Sequence, residues 1–200
     1  MNLTARHRQV VAGAVAAGAE DAARKLAAST GREWEVSSGV FSDGPAERFR
    51  SFFGGTIQPH FGALLSDQDG RDLVVLVLFT KSSGRLAAAE FARVMGAKQP
   101  GSDERDRLAV AELANIVAHG VVGAVADALD ALILLTPAEV SDGTRLSLLD
   151  RALARFTDKE CFMMVANLRL RAPEAELEAL LAFVVERSVL MRLLEAGAPR

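Results

Sequence analysis

The sequence contains few of the residues that mark secreted or disulfide-rich proteins. It has one cysteine, Cys161, which lies beside the apolar run 162–165 and cannot form a disulfide within the chain. This cysteine usage is typical of a reducing compartment. We therefore expect a cytoplasmic protein.

The chain also lacks an excess of positive charge. It has 23 Lys and Arg residues against 26 Asp and Glu residues, a formal net charge of -3. Such a balance provides no general attraction to phosphate backbones or anionic lipid. The sequence therefore predicts no nucleic-acid partner.

Long hydrophobic runs are absent as well. The densest apolar run, 73–79, is far shorter than the roughly 20 residues that span a bilayer, so it predicts a buried strand and no membrane insertion. Arg6 and Arg8 before the apolar segment 10–19 superficially resemble a signal peptide. That segment consists mainly of Ala, Gly and Val, no clear cleavage site follows, and acidic residues come next, so we expect no secretion signal.

What the chain does contain is an ordered pattern that occurs twice. Its 200 residues, 50% of them hydrophobic, are enough for one core. The first half predicts a helix at 3–30 that ends at Gly31, a strand at 34–41, a helix at 44–53, strands at 57–65 and 73–79, and a helix at 85–95 that ends at Gly96. After a linker at 98–102, the second half predicts a helix at 103–130, a strand at 133–140, a helix at 145–156, strands at 162–170 and 177–185, and a last helix that reaches Gly197. A shift of about 100 residues superimposes the two, which predicts a tandem duplication with halves at about 1–97 and about 103–200.

This duplication predicts an α/β layered fold in a single domain. Each half reads helix, strand, helix, hairpin, helix, and two hairpin-bearing halves are expected to share one mostly antiparallel sheet with pseudo-two-fold symmetry. The two long helices are then expected to cover a face of that sheet. Within 112–128, apolar residues recur at helical spacing and mark the buried side of the second long helix.

Three polar residues lie on the opposite side of this helix. At about 100° per residue, Glu112, Asn115 and His119 fall within roughly 60° of one another and roughly 140° from the apolar stripe. Leu108 and Ala126 are predicted on the same outward face. Residues three apart on a helix have neighbouring side chains, so Glu112 and Asn115 can contact one group on a docked partner. Polar pairs of this kind are also common on solvated helix faces that have no function.

The residues around this pair resemble a known motif. The segment 108–117, with Pro137 after the helix, resembles the CheC/CheX/FliY family of bacterial chemotaxis phosphatases, and the duplicated architecture is closest to CheC. The family motif is Asp or Ser, three residues, Glu, two residues, Asn, and a proline about 22 residues later. Glu112, Asn115 and Pro137 match it in type and spacing.

Two departures from the family pattern are present. The Asp or Ser position is Leu108, which is expected to serve as an apolar contact for the partner instead. With a shift of 99 residues, Glu112, Asn115 and Pro137 correspond to Gly13, Ala16 and Ser38, respectively. None of these supplies a carboxylate or an amide, so the first half is expected to have a degenerate site.

The resemblance implies an activity and a partner. A family member dephosphorylates the phosphoaspartate of a CheY-like response regulator, and the regulator binds the divalent metal, so no cofactor is expected on this chain. The resemblance assigns Asn115 to orienting the attacking water and Glu112 to pairing with the regulator's lysine. His119, one turn beyond Asn115, is a candidate partner contact or a solvated histidine.

Other interpretations remain open at this stage. The chain could be a catalytically weak or silent adaptor that binds a response regulator or a CheD-like deamidase. A structural role in the flagellar switch, as in FliY, would be expected to need a further C-terminal domain. The resemblance is compatible with a monomer or a homodimer. His7 and His60 have no ligand cluster at metal-binding spacing, so no metal site is expected on this chain.

Overall fold

The computed structural model describes residues 3–68, 73–94, 103–157 and 159–196. In the first half of the chain the elements are α1 (Ala5–Thr30), β1 (Glu35–Pro45), a 3-10 helix (Ala46–Phe49), α2 (Arg50–Gly54), β2 (His60–Ser66), β3 (Leu73–Thr80) and α3 (Lys81–Val94). In the second half they are α4 (Asp103–Ala128), β4 (Glu139–Gly143), α5 (Arg145–Leu153), β5 (Cys161–Ala172), β6 (Ala175–Glu186) and α6 (Arg187–Ala196). The element order predicted for both halves is therefore observed.

Local capping explains where the first long helix begins and ends. The Thr4 side chain accepts a backbone N–H of the first turn of α1, which satisfies a donor that has no partner within the helix. Gly31 adopts the left-handed conformation, with φ of 64°, and its N–H donates to the last turn. The helix ends predicted at Gly96 and Gly197, and the linker predicted at 98–102, lie outside the described residues.

The six strands form one antiparallel sheet in the order β1-β5-β6-β3-β2-β4. Exchanging β1 with β4, β2 with β5 and β3 with β6 leaves this order unchanged apart from its direction. The predicted pseudo-two-fold sheet is therefore confirmed. Each half places its first strand at the outer edge of the other half's hairpin. The division of the chain at about 97–103 stays a prediction, because that junction falls in residues that are not described.

Helices cover both faces of the sheet. The larger core lies between the sheet and the layer of α1, α3, α4 and α6, and a smaller core lies under the 3-10 helix, α2 and α5. Successive residues of β3 alternate between the two: Val77 and Phe79 face the larger core, whereas Leu76 and Leu78 face the smaller one. This double burial explains the continuous apolar run that the sequence shows at this strand.

The two long helices cross at glycines. A Cβ atom added to Gly18 would lie 2.4 Å from the Val121 Cα atom, and one added to Gly120 would lie 2.8 Å from the Gly18 carbonyl oxygen. Only residues without a side chain allow this approach. Among the described residues, α4 is the one helix long and apolar enough to span a membrane by composition, and here its apolar residues pack against α1 and the sheet.

The strand predicted at 133–140 is wrong in position. The chain at 131–138 is a loop that makes only an isolated bridge, from Leu135 to Asp67, and β4 begins at Glu139. Pro137 explains the difference, because it has no N–H to donate to a ladder. Smaller boundary differences occur at three other elements. The strand predicted at 57–65 is observed as β2, and the helix predicted at 85–95 is observed as α3. The helix predicted at 44–53 is observed as the 3-10 helix followed by α2.

Candidate functional site

The candidate site is the outward face of α4. Leu108 is 67% exposed, Glu112 and His119 are exposed, and Asn115 is half-buried. The four side chains lie on the surface that faces away from the sheet. The predicted outward position of Ala126 is wrong, because Ala126 is 4% exposed and packed near the end of the helix. The surface of interest is therefore confined to 108–119.

Asn115 is held by the backbone of the loop that follows α4. Its Oδ1 atom accepts a hydrogen bond from the Ala138 N–H at 2.9 Å. Because a backbone N–H can only donate, this bond assigns the oxygen of the amide to the loop side. The two hydrogens on Nδ2 have no partner among the described residues. The amide is thus fixed in orientation and retains two donors for another molecule.

The loop that supplies this N–H is itself tied to the end of β2. The Thr136 N–H donates to the Ser66 carbonyl oxygen at 2.7 Å, and the Ser66 N–H donates to Thr136 Oγ1 at 3.1 Å. The β2–β4 ladder starts only at Glu139. The Ala138 N–H therefore lies outside the ladder and is available to Asn115. The motif proline, Pro137, lies two residues before the start of this ladder.

The side chain of Glu112 is exposed to solvent. No described residue forms a hydrogen bond or ion pair with its carboxylate. A solvated carboxylate one turn before Asn115 can pair with a cation on a docked protein at little cost, because no internal bond has to be broken first. The structure therefore places an available anion beside an oriented amide.

An ion cluster next to this face was not predicted from the sequence. Asp142 on β4 pairs with both Lys81 at the start of α3 and Arg107 on α4. Lys81 Nζ also lies 3.6 Å from the centre of the Phe61 ring. Burial acts to raise the pKa of Asp142, but hydrogen bonds from the two cations lower it below its usual value. The cluster links α3, α4 and the edge strand that follows the Asn115 loop.

His119 extends the face by one helical turn. Partial desolvation lowers the pKa of this largely exposed histidine, and the nearby Lys25 ammonium on α1 adds to the effect. This shift favours the neutral imidazole. A neutral ring adds no positive charge to the surface beside Asn115.

The first half offers no comparable site. Gly13 and Ala16 are exposed on α1, and Ser38 lies in β1, where it is paired with Leu168 of β5. No carboxylate or amide stands at the three positions that correspond to the motif. Within the described parts of the chain, no group of three or more His, Cys, Asp and Glu side chains is arranged to hold a metal ion.

Comparison with known proteins shows similarity in fold without detectable similarity in sequence. No protein-family model matches the chain, and no curated protein matches it. FliY from Thermotoga maritima aligns with a TM-score of 0.71 and 15% identity, covering 98% of both chains. The FliM middle domain from H. pylori aligns with a TM-score of 0.67 and 8% identity, covering 97% of this chain and 99% of that one.

A second H. pylori structure, of a FliG–FliM complex, aligns with a TM-score of 0.63 and 8% identity, covering 96% of this chain and all of that one (100%). These identities establish a shared fold. The chain has the fold of the CheC/CheX/FliY family, as the motif and the duplication predicted. What the neighbours bind or do is not transferred by this similarity.

Proposed function

Because the chain has this fold and presents Glu112 beside an oriented Asn115, we propose that it is a phosphatase for the phosphoaspartate of a CheY-like response regulator. The observation that supports this most is the hydrogen bond from the Ala138 N–H to Asn115 Oδ1. It fixes the amide on an exposed helix face, where the phosphorylated surface of another protein can reach it.

The proposed reaction is in-line attack of water on phosphorus. The bond from phosphorus to the aspartyl oxygen breaks, the regulator's aspartate is released as a carboxylate, and the water proton passes to the phosphate that forms. The family resemblance implies that the regulator supplies the divalent metal that balances the phosphoryl charge. This chain then has to position the water, and little covalent chemistry remains for it.

Asn115 is suited to that positioning role. One of its Nδ2 hydrogens can donate to the water oxygen, which leaves a water lone pair to attack phosphorus, and the second lone pair of Oδ1 can accept a water hydrogen. Because the Ala138 N–H already holds the amide plane, little rotational freedom has to be lost when the water binds. We expect one such amide to accelerate hydrolysis by roughly 10²–10³-fold, similar to one preorganised donor in other active sites.

Glu112 and Leu108 are proposed to dock the regulator. Glu112 would pair with the regulator's lysine beside the phosphoaspartate, which also sets the distance from Asn115 to phosphorus. Leu108 is 67% exposed one turn earlier, so it can provide an apolar contact where family members have Asp or Ser. His119 would contact the partner at the other end of this face.

The experiment is a turnover assay. A CheY-like regulator from the same genome is phosphorylated with acetyl phosphate, the excess reagent is removed, and a substoichiometric amount of this protein is added. We expect phosphate release to accelerate and to exceed one equivalent per molecule of this protein. Release at the spontaneous rate with every CheY-like regulator of that genome would refute the phosphatase activity.

A second candidate function is binding without catalysis. FliM from H. pylori was crystallised in a FliG–FliM complex that contains a chain with this fold, so we infer that the fold can serve as a docking module. In that case the protein is an adaptor for a response regulator or for a CheD-like deamidase. The same assay separates the two functions, because an adaptor changes the bound fraction of regulator without turnover. A cytoplasmic location, and a monomeric or homodimeric state, stay predictions under either function.

A further inference from the structure

A cavity of about 480 Å³ opens on the face of the sheet opposite α1 and α4. Leu78 and Leu180 form its floor, and both belong to the smaller core with Leu148 of α5. Polar residues also line it, among them His60, Thr80, Arg145, Asn167, Arg169 and one carboxylate, that of Glu178. The cavity is separated from Glu112 and Asn115 by the whole thickness of the sheet.

The hydrogen bonds of His60 define its charge. His60 is 2% exposed, and its Nδ1 atom lies 2.8 Å from the Gln58 carbonyl oxygen. Because a carbonyl can only accept, Nδ1 holds the hydrogen and Nε2 presents a lone pair. Arg145 Nε donates to that lone pair at 3.1 Å. Burial lowers the pKa of His60 and the Arg145 charge adds to the effect, although the hydrogen bond to the Gln58 carbonyl acts to raise it; the net shift favours the neutral ring.

Arg145 is therefore oriented by a neutral group and keeps its full charge. None of the described carboxylates lies within ion-pair distance of its guanidinium. Glu178 at the cavity rim is nearer to Arg169, at 3.9 Å, and Arg169 also pairs with Glu176 at 3.2 Å. Buried or half-buried guanidinium groups usually face a carboxylate or phosphate. Here the Nη1 and Nη2 groups are left for an external anion.

We propose that this cavity binds a small organic anion whose carboxylate or phosphate group pairs with Arg145. The apolar part of that molecule would contact Leu78 and Leu180. The volume lies within the range of about 300–1,000 Å³ that is usual for small-molecule sites. This proposal does not depend on the phosphatase function, since the two sites share no residue.

The experiment is a protein-observed NMR titration of the whole chain at constant ionic strength and pH 7. Butyrate and butyl phosphate are the probes, because they share an apolar part and differ in the anionic group. We expect saturable shifts of the Thr80 and Asn167 amides with at least one probe, at roughly millimolar dissociation constants for such small molecules. The probe that binds more tightly identifies the anionic group.

Variants identify the residue responsible. Arg145→Ala should weaken binding at least tenfold, because it removes a charge-assisted hydrogen bond. Arg145→Gln keeps a donor for His60 and should also bind the probe more weakly than the wild type. It replaces the alanine variant in this test if Arg145→Ala does not fold. Arg24→Ala removes an exposed cation from α1 and should bind within twofold of the wild type. No saturable shift with either probe, or wild-type affinity in a folded Arg145 variant, would overturn the proposal.

Discussion

The outward faces of α1 and α4 differ although the two helices are alike in length and position. Each has 26 residues, both lie in the same layer, and they cross at Gly18 and Gly120. On α4 the outward face presents Glu112 and an oriented Asn115, whereas α1 presents small residues such as Gly13 and Ala16. The carboxylate and amide of the proposed site thus have no counterpart at the corresponding positions of α1.

The backbone after each helix differs as well. Residues 31–34 join α1 directly to β1, and the β1–β5 ladder begins at Glu35. Residues 129–138 join α4 to β4, and the Ala138 N–H remains outside the ladder that begins at Glu139. The proposed site therefore depends on two features together: the side chains of α4, and a loop N–H that lies outside the ladder and can bond to one of them.

The largest effect is expected from Asn115→Asp. The aspartate can still accept from the Ala138 N–H, but it lacks the two donors and adds a negative charge near the phosphoryl group. We expect the rate of regulator dephosphorylation to fall by roughly 10²–10³-fold. The matched variant on the other helix, Ala16→Asp, should keep the wild-type rate, and an equal loss in both variants would contradict the assignment of the site to α4.

A smaller effect, on stability, is expected at the helix crossing. In Gly18→Ala the new Cβ would meet the α4 backbone, so the free energy of unfolding should fall by about 1–3 kcal/mol. The control is Gly13→Ala on the exposed side of α1, where a Cβ has no atom within 4 Å. It should stabilise the protein by about 0.5–1 kcal/mol through helix propensity. Denaturant unfolding measures both, and equal effects would show that the crossing is not close-packed.

Much of this arrangement follows from local sequence patterns. Helical periodicity predicts the face on which Glu112 and Asn115 lie, and Gly31 predicts where α1 ends. The bond between Asn115 and Ala138 could not be predicted, because it joins a side chain to a backbone group 23 residues away. The ion pairs of Asp142 likewise depend on which edge β4 occupies in the sheet. Such contacts follow from tertiary packing, which periodicity does not report.

A change of about tenfold in affinity is expected from Glu112→Lys. The substitution replaces attraction to the regulator's lysine with repulsion, so the dissociation constant for phosphorylated regulator should rise by roughly tenfold at low salt. Glu20→Lys makes the same charge change on the exposed side of α1 and controls for net charge. Fluorescence anisotropy with labelled regulator measures both. Equal weakening by the two variants would mean that only overall charge matters.

The smallest effect is expected when the two motif side chains are moved to α1. In an Asn115→Ala background, we expect Gly13→Glu together with Ala16→Asn to raise the rate of regulator dephosphorylation less than threefold above that of Asn115→Ala alone. Residues 31–34 join α1 directly to β1, so the first half lacks a counterpart of the 129–138 loop whose Ala138 N–H orients Asn115. Recovery close to the wild-type rate would show that side chains alone make the site.

The most direct test of the account is a single-turnover measurement with Asn115→Ala in saturating excess over phosphorylated regulator. Saturation removes any difference in binding, so the rate reports the hydrolytic step alone. We predict that the variant still binds the regulator and that hydrolysis proceeds close to its spontaneous rate. Hydrolysis at the wild-type rate in that complex would contradict the proposed role of the Asn115 amide.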